Sequence, residues 1–255
     1  GFWLPDHHQK SRLRSTGTRP MSLGTSPQSQ RLAEILERIE RARLRFGPPP
    51  EAVQLVAVSK TFPPAAITPF LEAGQRVFGE NRVQEAKAKW PELKDKYPDS
   101  RVHLIGPLQT NKAREAVALF DVIETLDREK LAAALRVEFD RAGKSLPCFI
   151  QVNIGKEPQK GGIEPENALQ FVEKCRNVYR LNVAGLMCIP PDGLPPGPYF
   201  AQLAMLARDA GVEGLSMGMS GDFEMAIAMG ATQVRVGSAL FGTRPPPSSA
   251  NPSHG

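Results

Sequence analysis

Leu55-Val56-Ala57-Val58-Ser59-Lys60 is the stretch on which the fold of this chain turns. Its apolar, partly β-branched run reads as a strand buried on both faces, which is what a parallel sheet covered by helices requires. Such a strand ends where the sheet meets solvent, and Lys60 stands at that end. Partial desolvation of an ammonium favours the free amine, the form that attacks a carbonyl carbon as a Schiff-base nucleophile. The plain alternative is a solvated loop charge, because long cations keep their heads in water.

Outward from this stretch the same grammar recurs. Downstream, Pro63 and Pro64 open a helix that glycine ends at Gly74, and Arg76-Val77-Phe78 reads as a second strand. Asn81 with Gln84 forms a capping-box pattern for the next helix. Further strands are predicted at Val102–Gly106, Val122–Thr125, Cys148–Asn153, Val183–Cys188, Gly214–Met217 and Gln233–Val236. Helices intervene: one follows Gln109–Lys112, one is capped by Asp127 and reaches Gly143, one starts at Pro165, one covers 199–210 and one follows Asp222. Upstream, Leu32, Ile35, Leu36, Ile39 and Leu44 fall near helical spacing from Ser29, and Gly47-Pro48-Pro49-Pro50 stops that helix. Strands alternating with helices imply parallel pairing with right-handed crossovers. Eight such units closed on themselves make a single (β/α)8 TIM barrel of residues 29–244, for which 255 residues suffice. An open doubly wound sheet is the runner-up, but the glycine-rich fingerprint it wants after the first strand is replaced by Lys60.

Residues 1–28 are polar, basic and without apolar periodicity, so a disordered leader is predicted, with Met21 a plausible true start and a transit peptide the rival reading. The tail at 245–255 is Pro/Ser-rich and is also expected to be disordered. Residues 1–30 carry +3 of the formal +5 net charge, so the remainder lacks the basic stripe that nucleic-acid binding needs. No apolar run approaches a bilayer span. The 3 cysteines are widely spaced without a CxxC pair, and the 4 histidines show no paired-ligand spacing. Reduced thiols, a cytoplasmic setting and no metal site are expected.

A barrel of this kind does its chemistry at the carboxyl ends of its strands and commonly holds phosphate after strands seven and eight. Those loops here are Ser216-Met217-Gly218-Met219-Ser220-Gly221-Asp222 and Arg235-Val236-Gly237-Ser238. Their hydroxyls and glycine-adjacent amides suit an anion. Each loop alone would pass for a helix cap or a tight turn. An amine and a phosphate cup on one rim fit either a phosphorylated ketone or pyridoxal 5'-phosphate (PLP). Arg235 lies two residues before Gly237 and faces the same side, so one strand end can reach a pyridine nitrogen and a phosphate together. A structural salt bridge is the rival role for Arg235.

Leu55–Thr61, Phe78-Gly79-Glu80-Asn81 with Val83-Gln84-Glu85, His103–Gln109 with Asn111-Lys112, Gly185-Leu186-Met187, Ser216–Ser220 and Val234–Gly237 resemble the pyridoxal phosphate homeostasis proteins, the YggS/PROSC family. The resemblance spans residues 30 to 244, and its motifs stand in the family's order. It implies a barrel like the N-terminal domain of alanine racemase, with PLP held as a Schiff base on Lys60. It further implies phosphate contacts from Ser220 or Ser216, Gly237 and Ser238, with Arg235 at the ring nitrogen and Asn81 and His103 lining the pocket. Arg82 stands where many relatives have tyrosine, and Gly221 where alanine is common. Family members act in intracellular PLP (vitamin B6) homeostasis and amino-acid balance without strong catalytic activity. PLP-dependent apoenzymes are the candidate recipients, and a monomer or weak dimer is expected. The alternative is a PLP-dependent racemase. That reaction needs an acid opposite Lys60, and Tyr97, Tyr179 and Tyr199 read as helix-end or loop residues.

Overall fold

In this computed structural model, which describes residues 26–45 and 52–243, the short apolar runs become eight parallel strands. They are β1 (Gln54–Val58), β2 (Val77–Glu80), β3 (Arg101–Leu104), β4 (Val122–Leu126), β5 (Cys148–Gln151), β6 (Val183–Met187), β7 (Gly214–Ser216) and β8 (Gln233–Val236). They pair in sequence order, and β8 returns to β1 through Gln54↔Gln233, Val56↔Arg235 and Ala57↔Val236. The sheet is therefore a closed (β/α)8 barrel, and closure brings the chain after β1 beside the chain after β8.

Helices follow the strands in turn: α2 (Pro64–Glu72), α3 (Val83–Lys96), α4 (Ala113–Leu119), α5 (Glu129–Ala142), α6 (Ala168–Asn177), α7 (Gly197–Ala210), α8 (Phe223–Ala228) and α9 (Ser238–Phe241). Phe70, Phe78, Trp90, Phe139 and Phe200 are buried between helices and sheet, with Phe78 and Trp90 ring centroids 5.1 Å apart. Each ring removed from water stabilises the fold by about 1.5–3 kcal/mol. An additional helix, α1 (Pro27–Arg45), precedes β1 and packs over α8 and α9. Arg31 donates to the Leu240 carbonyl at 2.7 Å, and the Arg38 guanidinium sits 4.6 Å from the Phe223 ring centre.

Several local expectations need correction. Helix α1 starts two residues before Ser29, and it buries Leu32, Ile35, Ile39 and Ala42 while Leu36 and Leu44 face out. The buried set keeps a stricter helical spacing than the list of large apolar residues did. The capping box of Asn81 and Gln84 does not form, because Arg82 is the N-cap of α3 and no side chain caps it. Asp127 does not cap α5 either; Arg128 occupies that position, and the Asp127 carboxylate instead accepts the Gly162 N–H at 3.0 Å. Tyr199 lies inside α7 rather than in a loop. The leader before residue 26, including Met21, the prolines at 48–50 and the tail from 244 lie outside the described residues.

Candidate cofactor-binding site

The carboxyl ends of the strands surround a cavity of about 930 Å3. Lys60, Asn81, Ser220, Arg235, Gly237 and Ser238 all line it. Val58, Ile105 and Ile189 supply apolar wall, and Asp127, Gln151 and Lys160 supply a polar one on the β4–β5 side.

Lys60 occupies the second position of a turn closed by the Phe62 N–H on the Ser59 carbonyl at 3.1 Å. Thr61, next in that turn, has a φ of 70°, which a β-branched residue rarely adopts. Conformations of this kind cost about 1–3 kcal/mol and persist where the surroundings over-determine them. Asn81 is set by close approach of backbone to backbone: a Cβ on Gly106 would lie 2.3 Å from the Asn81 carbonyl oxygen. Only glycine fits there, so the loops after β2 and β3 can touch.

On the opposite side of β1, the loop after β7 is tied down by the Asp222 carboxylate, which accepts the Met219 N–H at 2.7 Å. The Arg235 N–H on the Gly218 carbonyl at 2.9 Å joins that loop to β8. Gly218 has a φ of 101°, and a Cβ there would lie 2.6 Å from the Ala226 Cβ. The Ser220 hydroxyl oxygen accepts the Ala239 N–H at 3.2 Å, which brings it beside Gly237 and Ser238.

His103 and Ser216 are not cavity-lining residues; they lie one layer beneath, buried around Glu124. His103 Nδ1 is 2.7 Å from Glu124 Oε2, and the Ser216 hydroxyl donates to Glu124 Oε1. Arg235 Nη1 donates to the same Ser216 oxygen at 2.5 Å and lies 4.0 Å from Glu124 Oε1, while its Nη2 donates to the Cys188 carbonyl at 2.8 Å. Burial alone raises the Glu124 carboxyl, but the His103 hydrogen bond and charge, then Arg235 and Ser216, outweigh it and hold the group below the ordinary glutamate value. The fully buried carboxylate thus compensates a guanidinium that is only 3% exposed at the cavity floor. Arg235 thus lies within ion-pair distance of Glu124, as the salt-bridge reading expects, and also lines the cavity. Ser216 is committed to this chain, which leaves Ser220, with Ser238, at the cavity wall.

Glu124 escaped the sequence reading, although a carboxylate inside the apolar strand Val122–Thr125 is itself a signal, because charges are almost never fully buried unless paired. Cys148, Cys175 and Cys188 are free and buried, and burial pushes each thiol up to about 12, far from thiolate reactivity. Among the described residues no His/Cys/Asp/Glu cluster could hold a metal ion, and no helix is long and apolar enough to cross a membrane.

The closed barrel with this rim defines the class: residues 30–245 match the family described as alanine racemase, N-terminal domain. Within it, the chain is 41% identical over 224 residues to the pyridoxal phosphate homeostasis protein of Aquifex aeolicus, covering 84% of this chain and 97% of that protein. The homologue of the same name from Vibrio cholerae is 41% identical over 226 residues, covering 84% and 95%. Among solved structures, PipY of Synechococcus elongatus with PLP bound superposes with a TM-score of 0.72 at 41% identity, covering 82% of this chain and all of that one. This chain belongs to the pyridoxal phosphate homeostasis protein family.

Proposed function

We propose that this protein holds PLP as a Schiff base on Lys60 and serves intracellular PLP balance, without acting as a strong catalyst. One observation carries the reading: closure of β8 onto β1 puts Lys60, Arg235, Gly237, Ser238 and Ser220 on one cavity. The residues fit the cofactor. The buried Arg235 lines the cavity together with Lys60, Ser220 and the start of α9 at Gly237 and Ser238. The names of the relatives and the PLP-bound PipY structure support the same ligand.

When bound, the cofactor supplies an aldehyde carbon and an electron-withdrawing pyridine ring. Lys60 would join its amine nitrogen to that carbon, the aldehyde oxygen leaving as water. Ser220 and the amides of Gly237 and Ser238 would donate to the phosphate. Arg235 would donate to the ring nitrogen, and a guanidinium that never deprotonates cannot also leave a proton there. That arrangement weakens the electron sink. No tyrosine lines the cavity among the described residues, so the acid opposite Lys60 that racemisation needs is not supplied by Tyr97, Tyr179 or Tyr199.

Protein mixed with PLP and reduced with borohydride should carry a pyridoxyl group on Lys60 by peptide mass. Lys60→Ala should carry none, while its unfolding free energy moves by less than about 1 kcal/mol because a rim truncation removes no core packing. A trapped adduct on the alanine variant would overturn the assignment. Deuterium exchange at the α-carbon of alanine in heavy water should be slow, since a missing acid or base costs about 10²–10⁴ in rate. Fast, saturable exchange with inversion, lost in Lys60→Ala, would replace the carrier by a racemase.

A further inference from the structure

Behind the Lys60 turn lies a second buried charge cluster with no place in the cavity. Its centre is Lys89 on α3, whose side chain is 7% exposed. Lys89 Nζ donates to the carbonyls of Ser59 and Phe62 at 3.0 Å each, the two ends of the turn. Glu85, one helical turn earlier, lies 3.0 Å from the same nitrogen and accepts the Thr61 N–H. Glu80 completes the cluster: Oε1 is 2.8 Å from Lys89 Nζ, and Oε2 accepts from the Ser59 hydroxyl and from Trp90 Nε1, the latter at 3.1 Å. The cluster thus grips Ser59, Thr61 and Phe62, the residues on either side of Lys60.

We infer that Lys89 and Glu85 form a clamp that aims Lys60 into the cavity, Lys89 being the positioning residue. The inference rests on the PLP reading above. Two physical points separate it from simple packing. A buried ion cluster replaced as a whole by apolar residues commonly leaves a fold as stable or more so, so the cluster is a poor device for stability alone. The turn it grips also contains the left-handed Thr61, a position where such turns normally use glycine or asparagine. A threonine there needs its neighbours tied, and the ties come from Lys89 and Glu85.

The test compares two ligands on full-length protein: PLP, and pyridoxine 5'-phosphate, which keeps ring and phosphate but has an alcohol in place of the aldehyde. Lys89→Met should weaken PLP about tenfold, equivalent to about 1.4 kcal/mol. Pyridoxine 5'-phosphate, which asks nothing of the aim of Lys60, should bind the variant as it binds wild type. Equal weakening of both ligands would make Lys89 a packing residue of the whole site and overturn the clamp, as would no weakening of either. If Lys89→Met does not fold, Glu85→Ala, at the more exposed end of the cluster, should show the same split at roughly threefold. Wild type that binds neither ligand would overturn the function reading and the clamp with it. Wild type that binds both while the variants match it overturns the clamp alone.

Discussion

Glu80 at the end of β2 and Glu124 on β4 are both fully buried, yet they are pushed in opposite directions: Glu80 above the ordinary glutamate value, Glu124 below it. Burial is the largest influence on each and raises both. The difference lies in the partners. Glu124 has an imidazole, a hydroxyl and a guanidinium turned towards it. Glu80 faces one ammonium, and Lys89 divides that ammonium with Glu85 and two turn carbonyls, so the attraction of Lys89 and the bonds from Ser59 and Trp90 fall short of the cost of burial. Depth therefore does not decide the direction for a buried acid here; the partners turned towards it do. The two clusters also serve different edges of the cavity, one beneath Arg235 and one behind Lys60.

The largest break in this comparison should come from Glu124→Ala. It leaves Arg235 buried without its carboxylate, and breaking a buried pair costs about 3–5 kcal/mol. Urea unfolding measures this, and a loss under about 1 kcal/mol would show that Glu124 is not the compensating charge. Glu80→Gln should cost less, about 1 kcal/mol in the same assay. Lys89 keeps Glu85 and both carbonyls in that variant, and a cost equal to that of Glu124→Ala would erase the distinction.

The subtlest effect is the sign of the pH dependence. Glu124 has a folded value below 4.5, so the unfolded chain binds the proton more readily. Its contribution is fully present above 4.5 and is lost as pH falls through the folded value. Glu80 has a folded value above 4.5, so its contribution is fully present below 4.5 and declines as pH rises through the folded value. Thermal unfolding of wild type against Glu124→Gln and against Glu80→Gln across the carboxylate range should give stability differences of opposite slope. Parallel slopes would mean that the two acids ionise alike.

The barrel and much of its rim were legible because they depend on short-range pattern. Short strands such as Leu55–Val58 and Val234–Val236 are followed at once by Ser59-Lys60 and Gly237, and alternation of strand with helix orders the rim without reference to any partner. The caps assigned to Asn81 and Asp127 failed for the opposite reason. Both residue types are good caps in isolation, but Asn81 is pressed against Gly106, and Asp127 is bound by Gly162, 35 residues away. A local preference of about 1 kcal/mol yields readily to tertiary contacts of that size.

What the sequence determined by itself was the order of the strands and the residue types at their carboxyl ends, because periodicity and glycine placement act within a few residues. What only the tertiary structure decided was which of those residues line the cavity and which support the ones that do. Ser216 and Glu124 are 92 residues apart, Arg235 and Cys188 are 47, and Lys89 and Ser59 are 30. A buried polar atom must find its partner wherever closure of the barrel delivers one, and that choice is made by packing across the whole chain.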